Sequence, residues 1–377
     1  MNKGLLILTV LFCSISYGQQ TLETEISELF KIELKKKSIH NAYLHVHSSS
    51  KNIDIQLVEG LFKDKKTVSK AHPFYVASIG KTFTATAISL LKDKKKLQFE
   101  DKISRYLSKE TMRKLHVYKN VDYSDEITIA QLLQHTSGLP DYFEDRTKDD
   151  SPNIIQQLFI HPTKMWKHEE LIQFSKQKMH PLFAPGKGYH YTDTEYVLLG
   201  LIVEKISGLT LHDFFKKHIF NPLQMNHTYM NLRSKPIKKT PKMAEIYVDT
   251  FEVSSFKSLS ADWAGGGIVT TTEDLLKFQK ALFAEKLVNK KTLQIMQQWT
   301  PETKGMYYGF GLRKIVLNEL DKNLPKLTLI GHSGSTASFM FYCPELDVYT
   351  SGTLNQTEET RNSLLLITKI LKLIDQK

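Results

Sequence analysis

Ser78-Ile79-Gly80-Lys81 sets an amine three residues after a hydroxyl. At the start of a helix that spacing puts both groups on one face, where they can act as nucleophile and base. The apolar run Phe74-Tyr75-Val76-Ala77 leads into the serine, and apolar residues recur at Ile79, Phe83, Ala87, Leu90 and Leu91, the period of a helix buried along one side. Ser78 is therefore expected at a helix N-terminus, whose free N–H groups and dipole favour a developing negative charge. The pattern alone is weak. Ser-x-x-Lys recurs at Ser48, Ser89, Ser175 and Ser254, where a capping serine beside a solvated lysine is the ordinary reading. Ser78 stands apart because it follows an apolar run and opens a buried helix.

Two further stretches carry chemistry. Pro185-Gly186 leads to Tyr189-His190-Tyr191-Thr192-Asp193, just before a helical pattern through Tyr196, Leu198, Leu199 and Ile202. Tyr191 is thus expected on a loop at a helix start, where a tyrosine near an ammonium can take a proton; a core tyrosine is the blander reading. Gly331-His332-Ser333-Gly334-Ser335 reads as a strand end with a glycine that lets a ligand approach the backbone. His332 could bind a carboxylate or relay a proton, and the Ser335 N–H could donate to an oxyanion. A turn with a hydrogen-bonded histidine is the alternative. Ala264-Gly265-Gly266-Gly267 reads as architecture, with Thr272 as a helix N-cap.

Other chemistries fit less well. Gly331-x-Ser333 is half of an α/β-hydrolase nucleophile elbow, but Ser335 replaces its second glycine and a strand-like segment follows where a helix belongs. His168-Glu169-Glu170-Leu171-Ile172 lacks the second histidine of a zinc helix, and neither metal nor cofactor is expected.

The elements that must hold these groups come from a chain of 377 residues, 41% hydrophobic and 24% charged, which can bury a substantial core. Lys3, the apolar stretch Leu5 to Phe12 and Ser16-Tyr17-Gly18 read as a cleavable signal peptide, cut near Gly18, of a periplasmic or secreted protein. Phe12 is too bulky to precede a lipidated Cys13. No later apolar run is long enough to span a bilayer. Without Cys13 only Cys343 remains, so no disulfide can form within the mature chain, and Cys343 reads as a small buried hydrophobe. The net charge of +11 is spread over short groups such as Lys35-Lys36-Lys37 and Lys94-Lys95-Lys96, without the aromatic interleaving of a nucleic-acid surface. These are solvated faces or, if functional, an attraction to an anionic cell envelope or substrate.

An amphipathic helix is expected over Glu23 to Lys37, then a hairpin of Ala42 to His47 and Ile53 to Phe62. A long helical region follows, with segments near Thr128 to His135, His168 to Lys178, Thr194 to Ile206, Leu211 to Phe220 and Thr272 to Ala284. Strands return at Phe310 to Val316, Leu327 to Gly331, Ser338 to Tyr342 and Val348 to Leu354, and a helix over Thr357 to Ile374 ends the chain. The order implies an α+β fold: one antiparallel sheet built from both chain ends (about 19–77 and 300–377), flanked by helices, with an inserted helical subdomain (about 78–299).

In chain order, Ser78-x-x-Lys81, Tyr191-x-Asp193 and His332-x-Gly334 resemble the three motifs of class C β-lactamases and related penicillin-recognising D,D-peptidases and esterases. Lys96 to Leu107, Leu132 to Pro140, Tyr196 to Gly200, Ile219 to Met225 and Tyr308 to Gly311 resemble family segments too, so the likeness covers nearly all of the mature chain. It implies Ser78 as nucleophile, Lys81 and Tyr191 as the base system, the N–H groups of Ser78 and Ser335 as the oxyanion hole, and Asp193, His332, Ser333, Gly334 and Ser335 as substrate-binding. Three positions depart from the pattern. His332 is the peptidase and esterase habit where β-lactamases have lysine, Ser338 replaces a commoner glycine, and Asp193 replaces asparagine. An ionised aspartate accepts but cannot donate, so Asp193 is poorly suited to a substrate amide and could instead pair with Lys81. The expectation is an exported serine hydrolase that forms an acyl-enzyme on a small-molecule or peptide substrate, with weak β-lactam turnover. A catalytically inactive binding protein of the same fold, or an α/β-hydrolase using Ser333, are the alternatives.

Overall fold

The computed structural model describes residues 22–377, so the expected signal peptide and Cys13 lie outside the described residues. Strands β1 (Asn41–Ser48) and β2 (Ile53–Gly60) form the expected hairpin. Near the other end, β3 (Thr300–Thr303), β4 (Met306–Tyr308), β5 (Arg313–Val316), β6 (Thr328–Gly334), β7 (Ser338–Cys343) and β8 (Val348–Thr353) form a meander. The two ends join where β1 pairs with β8, Tyr43 opposite Thr353 and His47 opposite Tyr349. The result is one eight-stranded sheet in the order β3-β4-β5-β6-β7-β8-β1-β2, antiparallel throughout.

Strand alternation decides which residues meet which layer. Ala42, Leu44 and Val46 of β1 and Phe339, Phe341 and Cys343 of β7 share a core with Ile26 and Phe30 of α1 (22–33) and with Leu366, Ile370 and Leu371 of α5 (Thr360–Asp375). The terminal helices therefore cover one face of the sheet. Tyr43 and Met340, on the alternate positions, join the larger core that includes α2 (Gly80–Asp93), α3 (Asp193–Ser207) and α4 (Thr272–Phe283). Among the described residues no helix is long and apolar enough to cross a membrane.

Several expectations are corrected. Helix α2 is buried on almost every side, not one. Its threonines make this possible: Thr82 donates to Gly311 O and Thr84 to Ala264 O, both at 2.7 Å, so hydroxyls otherwise costly to bury are satisfied. Strand β6 continues through His332 and Ser333 to Gly334, and the glycines there face the protein's own backbone. A Cβ on Gly331 would overlap Met340 O, and one on Gly334 would overlap Val76 O. Since Ser333 pairs with Phe339 inside an antiparallel ladder, an α/β-hydrolase elbow is excluded. The single strand expected from Phe310 breaks at Gly311, which has φ 65° and packs on α2, leaving β4 and β5 on either side. The N-cap of α4 is Thr271, whose side chain accepts from Asp274 N, and Thr272 is the first helical residue.

Candidate active site

A short three-stranded sheet leads into the Ser78 turn: Phe74–Tyr75 pairs with Ile268–Thr270, which pairs with Tyr229–Met230. The chain then makes a single 3₁₀ turn, Ala77–Ile79, before α2. Ala77 has φ 46°, a region that a residue with a Cβ occupies at a cost, so the surroundings must hold the turn in place. They do so from the β6–β7 connection. Thr336 Oγ1 donates to Tyr75 O at 3.1 Å and Ser338 Oγ to Val76 O at 2.7 Å, which accounts for the serine where the family more often has glycine. Within 73–80, Ser78 is the residue that is not buried.

Lys81, on the first turn of α2, is fully buried. Its Nζ lies 2.6 Å from Asp193 Oδ1, 3.3 Å from Ser78 Oγ and 3.3 Å from Gly265 O. Burial disfavours the ammonium, but Asp193 outweighs it, and the net pKa is raised, so Lys81 stays charged. A Cβ on Gly265 would overlap Asp193 Oδ1, so this glycine is what lets the 263–266 helix close over the pair.

Tyr191 lies on the loop before α3, whose N-cap Thr192 anchors to Pro140 O at 2.9 Å. Its ring is flanked by two cations, Lys81 Nζ 4.8 Å and the Arg313 guanidinium 5.5 Å from the centroid. Burial raises the Tyr191 pKa, Lys81, Arg313 and the Ser78 hydroxyl pull it down, and the net shift is upward. The phenol is therefore neutral at rest. Arg313 is held by a two-pronged bond to Glu302, both contacts 2.7 Å, and Glu302 outweighs burial to keep the guanidinium charged.

The third motif divides. Ser335 is exposed and lines the same cavity as Ser78, Tyr191 and Asp193. His332 is fully buried, with Nδ1 2.7 Å from Ser333 O and Nε2 3.0 Å from Tyr308 OH, so both ring nitrogens are occupied inside the protein. Burial, then Arg313 and Lys81, hold its pKa well below the ordinary value, and it is neutral. Ser333 Oγ accepts from Arg313 at 3.4 Å. Gly334 provides the close contact with the Ser78 turn.

The cavity is about 510 Å³. Its lining includes Asp141 and Asp262, which sequence reasoning did not single out. Burial and then the Asp193 charge push Asp141 up to about 7 and Asp262 up to about 6. Asp141 accepts from Asp193 N at 2.9 Å, fixing the start of α3. Asp141 directly follows the family-like segment ending at Pro140, and Arg313 follows that ending at Gly311; those positions were the available signals. Behind the site, His135 Nδ1 meets Glu195 Oε2 at 2.5 Å, both fully buried, with the His135 ring 4.4 Å from that of Tyr191.

His45, His47 and Asp54 on β1 and β2 offer three ligand atoms within 4.8 Å. The Lys280 ammonium, 3.0 Å from His47 Nε2, must donate there, which leaves the His47 proton on Nδ1, facing Asp54. The three groups thus also bond one another and Lys280, while the buried His45 Nδ1 has no partner among the described residues.

The chain is 30% identical over 284 residues to penicillin-binding protein 4* of Bacillus subtilis, covering 72% of this chain and 57% of that protein. It is 28% identical to protein flp of Staphylococcus aureus over 68% of this chain and 49% of that one. The chain thus spans about half the length of these relatives. Among solved structures, D-amino acid amidase from Ochrobactrum anthropi, complexed with L-phenylalanine amide, superposes with a TM-score of 0.77 at 22% identity, over 94% of this chain and 99% of that one. EstCE1, a hydrolase with promiscuous acyltransferase activity, gives 0.74 at 18%, over 94% and 99%. These structures share the fold. The Beta-lactamase family profile matches residues 54–373, and the chain belongs to that family.

Proposed function

We propose that the protein is an exported serine hydrolase that works through an acyl-enzyme on a peptide, amide or ester bond, with weak β-lactam turnover. The observation that carries this is a partly exposed Ser78 Oγ at 3.3 Å from a buried Lys81 ammonium, opening on a cavity that Tyr191 and Ser335 also line. Ser78 Oγ attacks the carbonyl carbon. Its proton passes to the Tyr191 oxygen as Tyr191 gives its own to the departing nitrogen or oxygen, so the phenol is neutral before and after. Lys81 and Arg313 favour the phenolate character that arises in transit. The N–H groups of Ser78 and Ser335 receive the oxyanion. Water then enters by the reverse relay and releases the acid. Asp193 holds Lys81 charged, and His332, through Tyr308, is a positioning residue. Export rests on the signal-peptide pattern of residues 1–18.

The test is labelling of the purified mature protein by a fluorophosphonate probe, with turnover of a D-Ala-D-Ala peptide, a short-chain ester, a chromogenic cephalosporin and, given the amidase neighbour, an amino-acid amide. Ser78→Ala should lose labelling and about 10⁶ in rate, with the melting temperature within a few degrees. Full activity in Ser78→Ala, or loss confined to Ser333→Ala, defeats the assignment.

A further inference from the structure

The cavity beside Ser78 is lined in a way that an acyl-enzyme does not by itself require. Four carboxylates face it, Asp141, Glu144, Asp193 and Asp262, and the described residues that line it include no lysine or arginine. The two cations nearest the site are already matched, Lys81 by Asp193 and Arg313 by Glu302. Both Asp141 oxygens accept backbone N–H groups, from Asp193 at 2.9 Å and Glu144 at 3.0 Å. Asp262 differs from Asp141 and, like Asp193 at its Oδ2 and the exposed Glu144, keeps an oxygen without a donor among the described residues. Asp262 Oδ2 accepts from Tyr75 OH at 2.8 Å, while its other oxygen accepts from no described residue. Much of the remaining wall is apolar, with Phe143, Ile155, Leu158, Phe159, Val253 and Phe256. An open carboxylate oxygen in a largely apolar cavity beside the nucleophile calls for a cation on the ligand, because a desolvated charge is stable only when paired. A carboxylate there would meet like charge.

We infer that the cavity takes a substrate with a protonated amine close to its scissile carbonyl and a large apolar group. The class is an amino-acid amide or ester, or a peptide with a free N-terminal residue. Asp262 binds the amine and the aromatic wall receives the side chain. N-acylated substrates and those that place a carboxylate in the cavity are disfavoured. This rests on Ser78 as the acylated residue.

The experiment compares phenylalanine p-nitroanilide with its N-acetyl derivative, both as each enantiomer, with p-nitrophenyl acetate as a neutral ester. The free amine should be preferred in kcat/KM by at least about tenfold. Asp262→Asn should cut that preference by at least about tenfold, mainly through KM, and Asp262→Glu should restore part of it. Phenethylamine should protect Ser78 from the fluorophosphonate probe, and phenylpropanoate should not. Equal or better use of the N-acetyl substrate, or equal protection by the carboxylate, overturns the inference on the wild-type protein alone, whether or not the Asp262 variants fold. Labelling at Ser78 and ester cleavage without amine preference would leave the hydrolase and remove the amine pocket. An unlabelled Ser78 would remove both.

Discussion

Lys81 is a cation with no exposure, 2.6 Å from Asp193 and within the field of Asp141 and Asp262. Removing one partner of such a pair costs more than the pair contributes, because the other is left buried and uncompensated. Lys81→Ala should therefore lower stability by about 3–5 kcal/mol in denaturant titration, while Tyr191→Phe, which removes no charge, should change it little. Both should slow acylation by roughly 10² to 10⁴. Since both act in one proton path, the double variant should fall well short of the product of the two losses, and a simple product would separate them. Asp193→Asn asks a different question. An aspartate opposes acceptor to acceptor at a substrate amide, so the asparagine should raise the ratio of cephalosporin to short-ester acylation at least about tenfold, since an unpaired buried polar group costs about 1–3 kcal/mol. An unchanged ratio would mean that Asp193 serves Lys81 alone. At this scale the sequence marked Ser78 with Lys81, and Tyr191 with Asp193, because the spacing within each pair is local, and the structure brings the two pairs together across 112 residues. Glu302 and Asp262 were not legible, because nothing local marks a residue that becomes a partner only when distant elements meet.

Elements position the site through contacts rather than through their own propensities. The β6–β7 connection grips the strained turn at Ala77, and the tightest point is Gly334 against Val76 O. Gly334→Ala must push that connection away from the turn that carries Ser78. The expected outcome is a loss of about 10² in kcat/KM from sub-ångström misplacement of the nucleophile, read against unchanged secondary structure by circular dichroism. Full activity would show that the turn is held from elsewhere. The same contacts explain what the element reading missed. The apolar period of α2 marked one buried side, but Thr82 and Thr84 bury another by donating to carbonyls on segments far away in sequence. Periodicity counts a threonine as polar and cannot see its acceptor. Likewise His332 belongs to a strand and points into a tyrosine cluster, where Tyr308 completes its bonding.

At the scale of the whole molecule, strands at both ends with helices between were sufficient to indicate one sheet closed by β1 on β8, because short antiparallel strands with alternating apolar residues must share a core. How deeply the intervening segments are buried was not legible, and that depth sets the molecule's response to pH. Asp141 and Asp262 have pKa values raised to about 7 and about 6 by burial and by Asp193. In the unfolded chain both would ionise near the ordinary aspartate value, about 3.9. Between these limits the folded state holds protons that the unfolded state has released. The stability they contribute is therefore complete below about pH 4 and is lost as pH rises through about 6 and 7. Asp262→Asn removes its share while keeping an oxygen to accept from Tyr75. Relative to the wild type, the variant should gain roughly 1–3 kcal/mol on going from pH 4.5 to pH 7.5. Thermal unfolding of both proteins at the two pH values measures this. A difference that stays constant with pH would mean that Asp262 is ionised throughout, with its charge already balanced by Lys81.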